Sequence, residues 1–68
     1  MRAFEFQGGE LEDKAVTSLI VDLDSVVRLT EKTFSDDRTR WVVTFSSGDH
    51  EFVTKSAFDR ILLAWKSK

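Results

Sequence analysis

Phe4 and Phe6 alternate with Ala3 and Glu5, a period of two that predicts a short strand over 2–6 with one aromatic face, stopped by Gln7-Gly8-Gly9. The stretch Glu10-Leu11-Glu12-Asp13-Lys14 has a single apolar residue and predicts an exposed connection or one irregular turn. Residues 16–30 satisfy two periods at once. Val16, Leu19, Ile20, Leu23, Val26 and Val27 fall at helical spacing, whereas Leu19-Val21-Leu23 and Val27-Leu29 alternate as strands do. The β-branched side chains of Val16, Thr17, Ile20, Val21, Val26, Val27 and Thr30 favour a pleated surface, and Asp22, Asp24 and Ser25 favour a bend. Two strands at 18–22 and 26–33, kinked at Asp24-Ser25, are therefore predicted; one helix over 12–29 is the alternative.

Phe34-Ser35-Asp36-Asp37-Arg38 is rich in turn formers, and Trp41-Val43-Phe45 then alternates with Val42-Thr44-Ser46 in the clearest strand pattern of the chain. Placing Val27 opposite Phe45 and Leu29 opposite Val43 on a common core face centres the turn on Asp36 and requires the odd-numbered loop Ser35-Asp36-Asp37. For the next connection, Gly48-Asp49 has glycine at the first position of a two-residue type II′ loop, which sets Phe45 opposite Phe52 and Val43 opposite Thr54. His50–Thr54 then leads into a helix with Ser56 as N-cap, Asp59 three residues on, and Phe58, Ile61, Leu62 and Trp65 as its apolar stripe. Lys66 and Lys68 complement the dipole at its C-terminal end. The predicted architecture is α+β: an antiparallel sheet of four to five strands, one face packed by the C-terminal helix, with the N-terminal strand at an edge.

Length narrows this picture to one small domain over 1–68, since domains begin at roughly 50 residues. A chain this short buries only about 60% of its unfolded surface, and with no cysteine neither a disulfide nor a thiolate metal site supplements the core. Self-association as a symmetric homodimer is expected to help, with Phe4 and Phe6 near the contact and Phe34 and Trp65 as further interface candidates, because four large aromatics already compete for the interior. The longest apolar run, Leu19-Ile20-Val21, is far short of the roughly 18 residues of a membrane span, and no apolar signal segment follows Met1-Arg2. A cytoplasmic setting in a bacterium or phage is the expectation, without a membrane partner.

Ten basic against twelve acidic side chains give a net charge of −2, which argues against strong nonspecific attraction to nucleic acid unless the cations are gathered in one place. The predicted register gathers some: opposite the core face it sets Arg28 across from Thr44, Thr30 across from Val42 and Lys32 across from Arg40. Together with Arg38 they form a basic, threonine-lined strip. Its donors suit phosphates or an acidic protein; the competing reading is a solvated sheet face whose charges deter edge pairing.

Catalytic chemistry finds less support. Asp22-Leu23-Asp24-Ser25-Val26 resembles the DxDx(T/V) signature of haloacid-dehalogenase-like phosphotransferases, but that family assembles its site on several parallel strands of a far longer domain. The competing reading makes these residues the end of one strand and the bend into the next. His50 is the only histidine, so neither zinc spacing nor a serine–histidine–acid set is available, and no cofactor or small-molecule substrate is implied. The order of elements over 19–65 is similar to that of several small bacterial β-plus-helix modules, including the front part of LytTR-type DNA-binding domains; the likeness rests on hydrophobic pattern and carries over no functional residue. The expectation is a noncatalytic protein-interaction module that self-associates, with a nucleic-acid-binding regulator using the basic strip as the second reading.

Overall fold

The computed structural model describes residues 2–67. Along the chain lie β1 (Ala3–Gln7), β2 (Ser18–Asp22), one 3-10 turn (Leu23–Ser25), β3 (Val26–Thr33), β4 (Thr39–Phe45), β5 (His50–Val53) and α1 (Lys55–Lys66). The class is α+β, but the strands form two antiparallel sheets, β1–β2 and β3–β4–β5, rather than one. The break falls at the 3-10 turn, where Asp22 Oδ1 accepts from the Asp24 N–H at 3.0 Å and the Ser25 hydroxyl donates to the Asp22 carbonyl at 2.7 Å. These short-range bonds hold the bend that the β-branched and Asp/Ser pattern predicts, and the alternative helix over 12–29 is absent.

In β1–β2, Phe4 faces Val21 and Phe6 faces Leu19, which turns both phenylalanines inward. Their rings meet edge-on at 5.0 Å, within a core that also holds Leu11, Leu23, Val26, Val43, Val53, Ala57 and Ile61. Burial of Leu11 corrects the expectation of an exposed connection at 10–14. The Glu12 N–H donates to the Phe52 carbonyl and the Thr54 N–H to the Glu10 carbonyl, both at 2.9 Å, so 10–12 runs along the outer edge of β5. With Leu11 bridged to Val53, this segment covers a sheet edge that would otherwise be open.

Leu29 pairs with Val43, Thr30 with Val42 and Lys32 with Arg40, as the pattern predicts, but Val26 rather than Val27 meets Phe45. A bulge at Val27 inserts one residue, leaving Val27 56% exposed and turning Val26 into the core. The β3–β4 loop is Ser35-Asp36-Asp37, closed by Phe34 N–H to the Arg38 carbonyl at 2.8 Å and Asp37 N–H to the Phe34 carbonyl at 2.9 Å.

The β4–β5 loop has the same construction. Phe45 N–H donates to the Asp49 carbonyl and Gly48 N–H to the Phe45 carbonyl, so the loop is Ser46-Ser47-Gly48 and not Gly48-Asp49. Gly48, at φ 95°, takes the left-handed position that closes a three-residue hairpin, where the first loop has Asp37 at φ 66°. This longer and earlier loop moves the ladder: Val42 faces Phe52 and Val43 faces Glu51. Phe45 therefore packs against the core, whereas Phe52 points to the other side of the sheet, which overturns the expected Phe45–Phe52 pair.

The N-cap of α1 lies two residues earlier than predicted. Thr54 is extended (φ −74°, ψ 163°) and its hydroxyl accepts from the Ala57 N–H, while Ser56 is already helical. Asp59 pairs with Lys55 at 2.9 Å instead of closing a capping box, and this bond holds the Lys55 ammonium above its ordinary pKa. Ala57 and Ile61 enter the core, flanked by Phe58, Ala64 and Trp65, and the helix meets β1, β3 and β4. Leu63 is 72% exposed. Lys66 stands in the last turn as expected; Lys68 lies outside the described residues.

Candidate functional site

β4 has two consecutive valines that serve opposite sides of the sheet. Val43 is fully buried in the core, whereas Val42, only 7% exposed, lies outside the core cluster with Thr30 and Phe52 as its ladder partners. The side of β3–β4–β5 away from the core thus has its own apolar centre, Val42 and Phe52, framed by Arg28, Lys32, Arg40 and His50. Arg40 is drawn across this centre, its guanidinium carbon 4.1 Å from the centroid of the Phe52 ring. His50 meets the same ring edge-on at 5.4 Å, with 87° between the planes. Glu12, at the covered edge, forms an ion pair with Arg40 and fixes where its guanidinium sits. The result is a guanidinium, a phenyl ring and an imidazole gathered on one open sheet face.

Arg28 and Lys32 stand two residues either side of Thr30 on β3, exposed and with no ion pair among the described residues. In contrast, Arg38 is held by Asp36 at 2.6 Å within the β3–β4 loop. Of the four cations in the predicted strip, the structure therefore places Arg28, Lys32 and Arg40 on one face, and Arg38 in a local loop pair.

The interface candidates separate. Phe4 and Phe6 are 9% and 0% exposed, so the side chains expected at a dimer contact are used inside the core instead. The cause is their pairing with Val21 and Leu19, which closes the β1–β2 hairpin over the interior. Phe34 is 46% exposed at the start of the β3–β4 loop. Trp65 packs against the core and also lines a surface groove of about 680 Å³ with Leu23, Val26, Arg2, Asp24 and Lys66.

The Asp22-Leu23-Asp24 motif has a local role. Asp22 caps the 3-10 turn and Asp24 pairs with the Arg2 guanidinium at 2.9 Å, which in turn donates to the Ser67 carbonyl at 2.6 Å. His50 packs on Phe52, and among the described residues no three His, Asp or Glu side chains come together as metal ligands.

Phe52 is the member of the open face that the hydrophobic pattern misassigns; Val42 lies opposite Thr30 on that face, as the predicted register has it. The available signal was loop parity: the odd-numbered loop inferred at Ser35-Asp36-Asp37, applied again at Ser46-Ser47-Gly48, turns Phe52 outward. No known protein family, curated protein or solved structure matches this chain. Among the described residues no helix is long and apolar enough to cross a membrane.

Proposed function

We propose that this protein is a noncatalytic interaction module that engages an anionic partner through the open face of β3–β4–β5. The observation that carries this reading is charge segregation: a chain of net charge −2 gathers Arg28, Lys32 and Arg40 around a Val42–Phe52 centre on a sheet face that the helix leaves uncovered. Interaction surfaces commonly have this form, an aromatic and arginine centre with a polar rim. The test is the double substitution Arg28→Glu with Lys32→Glu, both at exposed positions. Binding to polyanion probes, measured at low salt and again at high salt, is expected to vanish in the variant and to fall steeply with salt in the unchanged chain. Salt-independent binding, or binding that survives the substitution, rejects the reading.

A second reading, self-association, draws support from β2 in place of Phe4 and Phe6. Among the described residues β2 pairs with β1 only, Ser18–Val21 has no charge to deter edge pairing, and Ile20 in its middle is 64% exposed. Two copies joined antiparallel about Ile20 set Leu19 opposite Val21 and Ser18 opposite Asp22, with no like charges facing. Sedimentation is expected to report a dimer that Ile20→Lys converts to a folded monomer; a monomer at high concentration in the unchanged chain removes this reading.

A further inference from the structure

Resting on the proposed anionic partner for the open sheet face, we infer that the partner is single-stranded nucleic acid, with unstacked bases seated on the Arg40–Phe52–His50 group and phosphates held by Arg28 and Lys32. Charge alone does not select among polyanions, but the planar groups do. An acidic peptide would pair with the cations, Arg40 included, and leave the Phe52 and His50 rings without a counterpart. Bases, with a π-face on each nucleotide, stack on both aromatic rings and guanidinium planes. The Arg40 guanidinium lies over Phe52 at 4.1 Å and is 38% exposed at its side chain, so the stack is already assembled and partly open to solvent. Ordering these side chains therefore costs little on binding.

The dimensions also favour a single strand. Three strands at the usual spacing make a platform about 10 Å wide, and Arg28 and Lys32 stand about 14 Å apart along β3 at the usual rise. The Thr30 and Thr44 side chains share this face through their pairing with Val42 and Arg28, which places hydroxyl donors between the cations and the stack. A duplex hides its base faces and is read by an element that enters a groove. Here the surface is an open sheet face whose planar groups lie together on β4 and β5.

Fluorescence anisotropy on the full chain tests this, using short labelled single-stranded DNA and RNA, the corresponding duplexes, and labelled poly-L-glutamate. The single strands are expected to bind more tightly than the duplexes and the polypeptide. With about two phosphates contacted, by Arg28 and Lys32, a tenfold rise in salt should weaken single-strand binding about 25-fold. Phe52→Leu, which keeps an apolar side chain but removes the ring that seats the Arg40 guanidinium, should weaken single-strand binding by about 5- to 150-fold, the worth of one base stacked on that pair, while leaving polyglutamate binding unchanged. Circular dichroism reports whether that variant is folded. If it is not, His50→Ala, at an exposed position, is the stacking variant and should weaken single-strand binding selectively.

Equal or tighter binding of polyglutamate overturns the inference but leaves the anion-binding reading standing. Preference for the duplex, or undiminished single-strand affinity in the folded stacking variant, overturns it as well. Failure of every polyanion to bind at low salt rejects both the inference and the reading on which it rests.

Discussion

Phe6 and Phe52 are the same residue type in comparable alternating patterns, yet they do different work. Phe6 is fully buried between the β1–β2 hairpin and the helix, whereas Phe52 is half-buried on the open face beneath Arg40. Phe6→Ala should therefore cost about 3–5 kcal/mol, enough to unfold much of a domain this small. Phe52→Ala should cost only about 1–2 kcal/mol, the worth of a partly buried ring and its guanidinium contact. Chemical denaturation of the two variants compares them directly, and equal losses would show that Phe52 is a core residue. Period and residue type were enough to read burial at Val43 and Ile61, because Val43 alternates with Trp41 and Phe45 on β4 and Ile61 lies on the apolar stripe of the helix. They failed at Phe52 on β5, where only the adjoining loop decides the face. Charge is simpler: Lys32 sits directly across from Arg40, a like-charge pair. Lys32→Glu should raise stability by a few tenths of a kcal/mol, seen as a small rise in Tm.

The two hairpins of the β3–β4–β5 sheet make a controlled comparison, since their loops share one hydrogen-bond pattern and differ in the residue at the left-handed position. Gly48 adopts φ 95° freely, and although nothing lies within 4 Å of a Cβ added there, the backbone conformation itself penalises a side chain. Gly48→Ala should cost about 1 kcal/mol. Asp37 holds φ 66° with a side chain already present, so Asp37→Gly should be neutral or stabilising by up to about 1 kcal/mol, after the entropy lost from the unfolded chain is counted. Opposite signs in thermal melts are the expected result; a loss at both positions would mean that Asp37 stabilises the loop through its side chain. This contrast also explains what could be read in advance. The boundaries of β2 and β3 and the presence of the C-terminal helix follow from turn formers and periodicity, whereas the helix cap is Thr54 and not Ser56. The β4–β5 register did not, because one glycine fits two loop lengths that differ in the face they assign to every later residue. The covering of β5 by 10–12 was hidden for another reason: it is made by backbone bonds and one leucine, which leave no period in the sequence.

Across the molecule, elements distant in sequence are tied together by Glu10 and Arg60. The Arg60 guanidinium donates to both Glu10 carboxylate oxygens at 2.6 Å, donates to the Glu5 carbonyl at 3.2 Å, and lies 4.9 Å from the centroid of the Phe4 ring. Glu10 Oε1 also accepts from the Gln7 N–H at 2.7 Å, so one carboxylate joins β1, the segment covering β5, and the helix. Burial of Glu10, 15% exposed, raises its pKa, but the hydrogen bonds from Arg60 and Gln7 and the Arg60 charge together outweigh that cost and hold the carboxyl below its ordinary 4.5. A carboxyl depressed on folding stabilises the native state above its unfolded pKa, and that contribution is lost as pH falls through the lower folded value. Unfolding free energy should therefore be level in this respect near neutrality and decline below about pH 4.5, as Glu10 takes up a proton and releases Arg60. Glu10→Gln keeps the side-chain shape and removes the charge. It should lower stability at pH 7 by on the order of 1 kcal/mol, the scale of a well-formed but half-solvated charge pair. Below pH 4.5 the gap between the variant and the unchanged chain should narrow, since acid has by then neutralised the same carboxyl. Urea titrations of both chains across this range decide the matter: a gap that stays constant down to pH 3 would place the acid sensitivity in other carboxylates, and no gap at pH 7 would mean that the Glu10–Arg60 pair is held by the fold instead of holding it.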